Sequence, residues 1–453
     1  MYVIEEIGMG ESEMKISKKN LTPAQYLVSG YFIIIMLGAL LLMLPVATTD
    51  GQGLNAVDAV FTATSATCVT GLIVVNTKEA FTIFGSTVIM LLIQIGGLGI
   101  MSMSTLFAFI IGKKISLKER LIIQEDLSQY QISGMVRLVQ YLLGFTFAIE
   151  GTAAVILFAR LVQDYPAGRA VYLAIFHSVS AFNNAGFDLF GNSLESFTGD
   201  VTINFVIMAL IILGGIGFGV MVEAYNRVKF KKSTLQTKIV IIMTLALLVF
   251  GFIVFFALEY NNTLADLPLL DKTLGAMFLS VTPRTAGFNT VATGALKQSS
   301  LFIIIILMFI GASPGSTGGG IKTTTFGVML VTLKNMIIGK EDMEIYNRRF
   351  EKKIVYEAFT ITMLAVGLVV LVTTLLLVIE EFQFIDVLFE TVSAFGTVGL
   401  STGITGQLSD ISRVLITVTM FAGRVGPLTL ALAFGERVRK GKYHYPTEKV
   451  MVG

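Results

Sequence analysis

Eight stretches of this 453-residue chain are apolar over roughly the 20 residues that a helix needs to cross a hydrocarbon core of about 30 Å. They run approximately over Tyr26–Leu44, Phe84–Ile111, Val136–Phe158, Val201–Val222, Ile239–Leu258, Leu301–Met336 (interrupted), Ile354–Ile379 and Ile411–Phe434. Charged residues make up 14% of the chain, about half the share of an ordinary soluble domain, which excludes a soluble globular fold. Disorder is excluded too, since it needs low hydrophobicity and high net charge. One cysteine and two histidines, His177 and His444, exclude a disulfide framework and a structural zinc site. The formal charge of +2 gives no argument for a nucleic-acid partner. The first 22 residues are polar, with Glu5, Glu6, Glu11 and Glu13 before Lys15, Lys18 and Lys19, so no cleaved signal is apparent. Tyr26–Leu44 alone could be a signal anchor, but recurrence of such runs points to a permanent span.

Between the members of each successive pair of runs lies a shorter stretch that ends in a polar loop, and these stretches align. They read Phe61-TATSATCVT-Gly71-Leu72, Phe176-HSVSAFNNA-Gly186-Phe187, Phe278-LSVTPRTA-Gly287-Phe288 and Phe389-ETVSAFGTV-Gly399-Leu400. Each has an anchor Phe, a hydroxyl residue (Ser65, Ser180, Thr282, Ser393) and a Gly followed by a large apolar residue; the third copy is one residue shorter. A second glycine cluster follows each in the next span: Gly96-Gly97, Gly214-Gly215, Gly311 and Gly423. The chain is therefore a fourfold repeat of span, short re-entrant helix, glycine loop, span.

Irregular backbone at membrane depth is tolerated only where protein or a water-filled cavity covers it, so four such loops imply a common aqueous lumen. Glycine admits positive φ and can turn successive carbonyl oxygens toward an axis, and rings of carbonyls replace the hydration shell of a monovalent cation. The short helices would aim their negative C-terminal ends at that cation, with Asp58 and Asp386 near the positive ends. The second clusters, Gly96, Gly97, Gly214 and Gly215, read more simply as close-approach positions between helices. Of 33 Lys and Arg, 24 fall on one side if the N-terminus is cytoplasmic and 7 on the other, Arg284 among them; Lys322 and Arg424 lie within spans. Both termini are then inside. The outer side carries an excess of acidic residues, from Asp50 through Asp410, which raises local cation concentration.

The motifs SAFNNAGF (Ser180–Phe187), TPRTAGFN (Thr282–Asn289), SAFGTVGL (Ser393–Leu400) and FAGRVGPLT (Phe421–Thr429) resemble the Trk/Ktr/HKT superfamily of potassium transporters, most closely the membrane subunit of bacterial Ktr systems. The resemblance covers the chain from about Leu27 to the C-terminus. It implies an all-α polytopic membrane protein of four M1-P-M2 repeats around one central pore, with eight transmembrane helices and four re-entrant pore helices. By resemblance Thr70-Gly71, Ala185-Gly186, Ala286-Gly287 and Val398-Gly399 form the selectivity filter, with potassium at the carbonyls of the four glycines. Glycine at all four favours potassium, since some sodium-preferring plant relatives have serine in the first; Thr67-Cys68-Val69-Thr70 is the least typical filter.

The second span of repeat 3 is broken by Pro314 and by Gly318-Gly319-Gly320. Gly315…Gly320 before Lys322-Thr323 nearly matches a nucleotide P-loop, but Ile321 disrupts the Gly-Lys adjacency and an apolar span precedes it. Gly215-Ile-Gly217-Phe-Gly219 likewise lacks the strand–helix unit of a dinucleotide site. The resemblance makes 311–325 an intramembrane loop that obstructs the pore below the filter, so Gly311, Gly315, Gly318, Gly319, Gly320, Lys322 and Arg424 are gate candidates. Arg424, in the last span, is expected to face the interior and meet carbonyls or carboxylates, either as a packing ion pair or as an electrostatic barrier. Lys322 is open to the same two readings. Glu150, mid-span, is a functional candidate or a structural hydrogen-bonded carboxyl, its partner not legible. Cys68 reads as a small packing residue and a handle for thiol labelling, and His177 as a support for the second pore loop.

The expected organisation is an N-terminal cytoplasmic tail (1–22), repeat 1 (23–112), a loop (113–135), repeat 2 (136–225), a loop (226–238), repeat 3 (239–338), a loop (339–353), repeat 4 (354–436) and a cytoplasmic tail (437–453). The inner loops are short and lack a βαβ pattern, so nucleotide control, if it exists at all, must come from another chain. The resemblance implies a plasma-membrane homodimer on a cytosolic ring of RCK-type nucleotide-binding regulatory subunits, with no cofactor in this chain. Lys113–Gln131, Phe230–Lys238 and Gly339–Lys353 are candidate docking surfaces or contacts to anionic lipid. The expected function is potassium uptake, not enzymatic catalysis, since no catalytic constellation is assembled at shared depth. A tightly sodium-coupled symporter and a non-permeating scaffold or receptor are the alternatives.

Overall fold

The structure is a computed structural model that describes residues 22–99, 135–226, 232–340, 344–346 and 348–434, with single positions 102, 121 and 448. The charged N-terminal tail, the basic C-terminal residues 437–447 and nearly all of Lys113–Gln131 lie outside the described residues.

Four long helices form the first element of each repeat: Pro23–Leu42, Met135–Leu161, Leu235–Glu259 and Lys352–Ile379. Each is long and apolar enough to cross a membrane, and only about a third of each apolar window is buried within the protein. Phe32, Leu40, Val155, Leu245, Ile253, Val370 and Val378 project from them into the surroundings. An apolar surface this continuous fits lipid and not water. We call these the outer helices.

Behind them sit four short pore helices, Ala56–Thr67, Ala167–Phe182, Leu269–Val281 and Phe384–Gly396. The anchor residues Phe61, Phe176, Phe278 and Phe389 are fully buried, one in each pore helix, which explains why a large apolar residue recurs at the same register. Asp58 and Asp386 lie in the first turns of their helices, at the positive end, as expected.

The inner helices depart from the sequence expectation. They cover Ile83–Leu98, Val201–Ile216, Gln298–Phe309 and Asp410–Val425. At 1.5 Å per residue a 16-residue helix spans about 24 Å, short of the hydrocarbon core. The expected runs Phe84–Ile111, Val201–Val222 and Ile411–Phe434 are not continuous: Gly99, Gly217 and Gly426 have φ of 84°, 95° and 92° and end the helices. A second half-helix follows at Phe218–Tyr225, Thr323–Ile337 and Pro427–Phe434, the second-repeat pair bending by 99°. The continuation in repeat 1 lies outside the described residues, apart from Ser102. The break expected for repeat 3 is thus shared by repeats 2 and 4, and the described inner helix of repeat 1 ends at the equivalent glycine. In repeat 3 the helix resumes at Thr323, so the irregular loop is 310–322 and not 311–325.

Within the expected 339–353 loop, Glu344–Ile345 and Arg348–Arg349 pair as a small antiparallel hairpin. This is the one paired sheet among the described residues.

Candidate functional site

The glycines that close the four pore loops come together edge to edge. A Cβ built on Gly71 would strike Ala185 O and come 3.1 Å from Gly186 Cα; one on Gly186 would come 2.9 Å from Ala286 O and 3.0 Å from Gly287 Cα. On Gly287 it would meet Val398 O at 2.5 Å and Gly399 Cα at 3.3 Å, and on Gly399 it would strike Thr70 O and come 2.9 Å from Gly71 Cα. The order 71, 186, 287, 399 and back to 71 is a closed ring, each glycine lying against the next repeat's backbone. No side chain larger than hydrogen fits there. All eight residues predicted for this place, from Thr70-Gly71 to Val398-Gly399, are in it.

The backbone repeats the same unusual conformation four times. Gly71, Gly186, Gly287 and Gly399 have φ of 92°, 71°, 76° and 90°. Two residues earlier, Val69, Asn184, Thr285 and Thr397 are also left-handed, with φ of 55°, 59°, 67° and 50°. For a β-branched residue that costs on the order of 1–3 kcal/mol, and three of the four are β-branched. Strain held at equivalent positions in all four copies indicates a backbone path required for its carbonyl directions.

The recurring hydroxyl residue holds that path. Ser65 Oγ donates to Leu72 O at 2.8 Å and accepts from Gly71 N at 3.0 Å. Ser180 Oγ donates to Phe187 O at 2.8 Å, Thr282 Oγ1 donates to Phe288 O, and Ser393 Oγ accepts from Gly399 N at 3.1 Å. The sequence marks these residues as part of the repeat but not this role; their fixed offset of four residues from the anchor Phe is the available signal.

The second glycine clusters are close-approach positions, as read. Gly96, Gly214 and Gly423 press on Thr67 O, Phe182 O and Phe395 O, the carbonyls four residues before the ring glycines. In repeat 3, Gly311 instead presses on Gly319 O, a carbonyl of the 310–322 loop.

That loop lies directly against the ring, on the side of the left-handed residues. Gly319 N donates to Thr397 Oγ1 at 3.0 Å, and a Cβ on Gly318 would strike Thr285 Oγ1. Ser313 N and Thr317 N donate to Gly215 O and Gly214 O at 3.0 and 3.2 Å, and Phe218 N donates to Gly315 O at 2.8 Å. Broken backbone from repeats 2 and 3 therefore satisfies itself across the interior, as buried peptide groups must. The missed breaks at Gly99, Gly217 and Gly426 were signalled by a Gly-x-x-Gly spacing, Gly96…Gly99, Gly214…Gly217 and Gly423…Gly426.

Arg424 reaches this assembly and makes no ion pair with a described residue. Its guanidinium donates to Thr317 O on the loop, to Gly96 O, to Gly97 O at 3.3 Å and to Tyr31 OH at 3.4 Å. The packing ion pair considered from sequence is replaced by carbonyl ligation. Lys322 pairs locally, Nζ donating to Gly318 O at 2.8 Å. Gly315, Gly318, Gly320, Lys322 and Arg424 all line one cavity of about 270 Å³ beyond the loop; Gly319 lies against Thr397, and Gly311 packs on the loop backbone at Gly319 and Gly320.

Glu150 now has its partner. Oε1 accepts from Asn183 Nδ2 at 3.0 Å, and Ser178 Oγ donates to Glu150 O at 2.7 Å. Asn183 caps pore helix 2, three residues before Gly186, so the carboxylate stands behind the second pore loop. Ser280 makes the equivalent bond to Leu248 O at 2.6 Å in repeat 3, where the place of Glu150 is apolar. His177 supports the loop after Gly186: Nε2 accepts from Leu189 N at 3.2 Å, Nδ1 lies 2.7 Å from Leu173 O, and the ring stacks on Phe190 at 4.1 Å. One expectation is corrected, that for Cys68, and Arg284 shows an environment not expected. Cys68 is fully buried at the cap of pore helix 1, out of reach of a labelling reagent. Arg284, counted among outer charges, is buried three residues before Gly287, with Nη1 lacking a hydrogen-bond partner.

The profile of the family described as TrkH, cation transport protein, matches residues 12–444. The chain belongs to that family. This TrkH-family chain is 44% identical to the Ktr system potassium uptake protein B of Bacillus subtilis over 434 residues, 95% of this chain and 97% of the relative. It is 38% identical to the potassium/sodium uptake protein NtpJ of Enterococcus hirae, covering 96% and 98%. The crystal structure of the potassium transporter TrkH from Vibrio parahaemolyticus superposes with a TM-score of 0.73 at 18% identity, over 93% of this chain and 86% of that one. Its likeness shows the fold: an all-helical membrane protein of four M1-P-M2 repeats. As a TrkH-family member the chain is a Ktr/Trk transporter subunit rather than an enzyme.

Proposed function

We propose that this chain takes up potassium across the plasma membrane through the ring of Gly71, Gly186, Gly287 and Gly399, and that the 310–322 loop gates the path. The observation that carries the reading is the closed contact order of the four glycines, with the same paired left-handed backbone in every repeat. Such a path turns carbonyls toward a common axis, where they can replace the water of a monovalent cation. The relatives named for potassium uptake support the choice of ion. The loop fits a gate because it abuts the ring at Thr285 and Thr397 and is tied back by Arg424. The Lys and Arg distribution supports cytoplasmic termini, with the nine-segment organisation set out above. A homodimer and a cytosolic RCK-type nucleotide-binding partner belong to the same reading through the resemblance to Ktr systems.

The deciding experiment is potassium flux into proteoliposomes supplied with the regulatory subunit. Wild type conducts, and Gly287→Ser loses selectivity for potassium over sodium; no flux from well-folded wild type sinks the proposal. A second reading, tight coupling to sodium, is favoured by the likeness to a protein named for potassium/sodium uptake. It requires that flux stop when the sodium gradient is removed.

A further inference from the structure

The cavity beyond the 310–322 loop is electrostatically odd for a cation path. Its described lining includes two cationic side chains, Lys322 and Arg424, and no carboxylate. Neither cation has an ion pair with a described residue. Arg424 spends its donors on the carbonyls of Thr317, Gly96 and Gly97 and on Tyr31 OH, so it contributes charge more than free hydrogen-bonding capacity. Lys322 gives one bond to Gly318 O, out of the three that an ammonium offers.

The broken inner helices add to that field. Phe218–Tyr225, Thr323–Ile337 and Pro427–Phe434 all begin at this cavity: Phe218, Lys322 (the N-cap of the second), Thr325, Pro427 and Thr429 are on its wall. A helix start carries about half a positive charge. Side-chain cations and helix starts thus point the same way, into one cavity.

We propose that this cavity is a binding site for a small monovalent inorganic anion of the halide class, held by Lys322 Nζ beside Arg424. Its occupancy neutralises the space through which the transported cation must pass, and so raises flux once the loop has moved. A halide fits better than a phosphate, because the Arg424 fork that would clasp two phosphate oxygens is already on carbonyls. The volume of about 270 Å³ admits the ion with several waters, each taking about 30 Å³. The binding part stands on the cavity alone; the flux part rests on the proposed function.

The test uses the full-length protein and two readouts. Crystals grown in bromide should show an anomalous peak in contact with Lys322 Nζ in wild type. Lys322→Arg, which keeps the charge, should keep the peak, and Lys322→Gln should lose it. No peak in well-ordered wild-type crystals, or one unchanged in Lys322→Gln, overturns the site. In proteoliposomes, replacing chloride by gluconate on the cavity side should lower wild-type potassium flux by about tenfold, the scale on which a local field concentrates counter-ions. A bromide peak with flux indifferent to the anion means an adventitious ion only, and overturns the functional half. A peak without any potassium flux under any condition leaves the site standing and removes the transport reading instead.

Discussion

Arg413 Nη1 lies 2.7 Å from Asp58 Oδ1, joining the first turn of the last inner helix to the first turn of the first pore helix. The two residues are 355 positions apart, and the side chains are 16% and 10% exposed. Arg413 also donates to Gly406 O at 3.1 Å, and Asn55 Nδ2 donates to the other Asp58 oxygen at 2.8 Å. The pair fastens repeat 4 to repeat 1, where the ring closes. Removing one member strands a nearly buried charge, a loss of about 3 kcal/mol. Arg413→Met should therefore lower the melting temperature in detergent, and Asp58→Leu combined with Arg413→Met should recover part of the loss. A single variant as stable as wild type would contradict this.

The hydroxyl clamps should tune ion choice without setting the fold. Thr282→Val removes the donor to Phe288 O and frees the shortest of the four loops. A hydrogen bond is worth about 1 kcal/mol, so the potassium-over-sodium flux ratio should fall by roughly fivefold while yield and melting temperature stay near wild type. Rubidium and sodium tracer uptake measured side by side is the check.

Arg424 holds the 310–322 loop by its bond to Thr317 O. Bonds from a charged donor contribute about 1.5–3 kcal/mol, so Arg424→Ala should raise potassium flux on the order of tenfold or more. Unchanged flux from a folded variant would remove Arg424 from the gate.

Glu150 and Asn183 make a matched pair behind the second pore loop. Glu150→Gln keeps an acceptor for Asn183 and should conserve ion selectivity. Glu150→Leu, which copies what repeat 3 has at Leu248, removes one of three acceptors of Asn183 Nδ2, leaving Gln94 Oε1 at 3.1 Å and Val179 O at 2.9 Å, and should cost about 1 kcal/mol of stability. Thermal unfolding together with the selectivity ratio separates the two variants.

Glu380 lies just beyond the last outer helix, where it accepts from Ser409 N at 2.8 Å and Ser409 Oγ at 2.7 Å. Burial pushes its pKa up, but hydrogen bonds from Ser409 and Ser412 and the nearby Arg413 outweigh this and hold it below the ordinary 4.5. A depressed carboxylate stabilises the fold fully above its unfolded value, and that stability disappears as pH falls through the lowered folded value. Wild type should therefore lose thermal stability on acidification below about pH 4.5, more steeply than Glu380→Gln.

The fourfold repeat was legible because a hydroxyl residue follows each Phe by four positions and a glycine follows five or six later, and the structure gives each a place: buried anchor, clamp and ring. Eight apolar runs were legible by length alone, but length could not reveal that Gly99, Gly217 and Gly426 break three of them. Mean hydropathy is blind to φ, and the apolar residues on either side of each break keep the run intact. Long-range pairs were hidden for a different reason. Nothing local marks Asp58 as the partner of Arg413, or Asn183 as that of Glu150, since each pair forms only once distant helices pack.

The ring's contact order also bears on how the molecule comes into being. Gly399, in the fourth repeat to be synthesised, sits against Thr70 O and Gly71 of the first. A chain arrested after three repeats has three of the four walls and no closure. The ring can thus close only after the fourth repeat has been made, and a product stopped before it would lack the fourth wall.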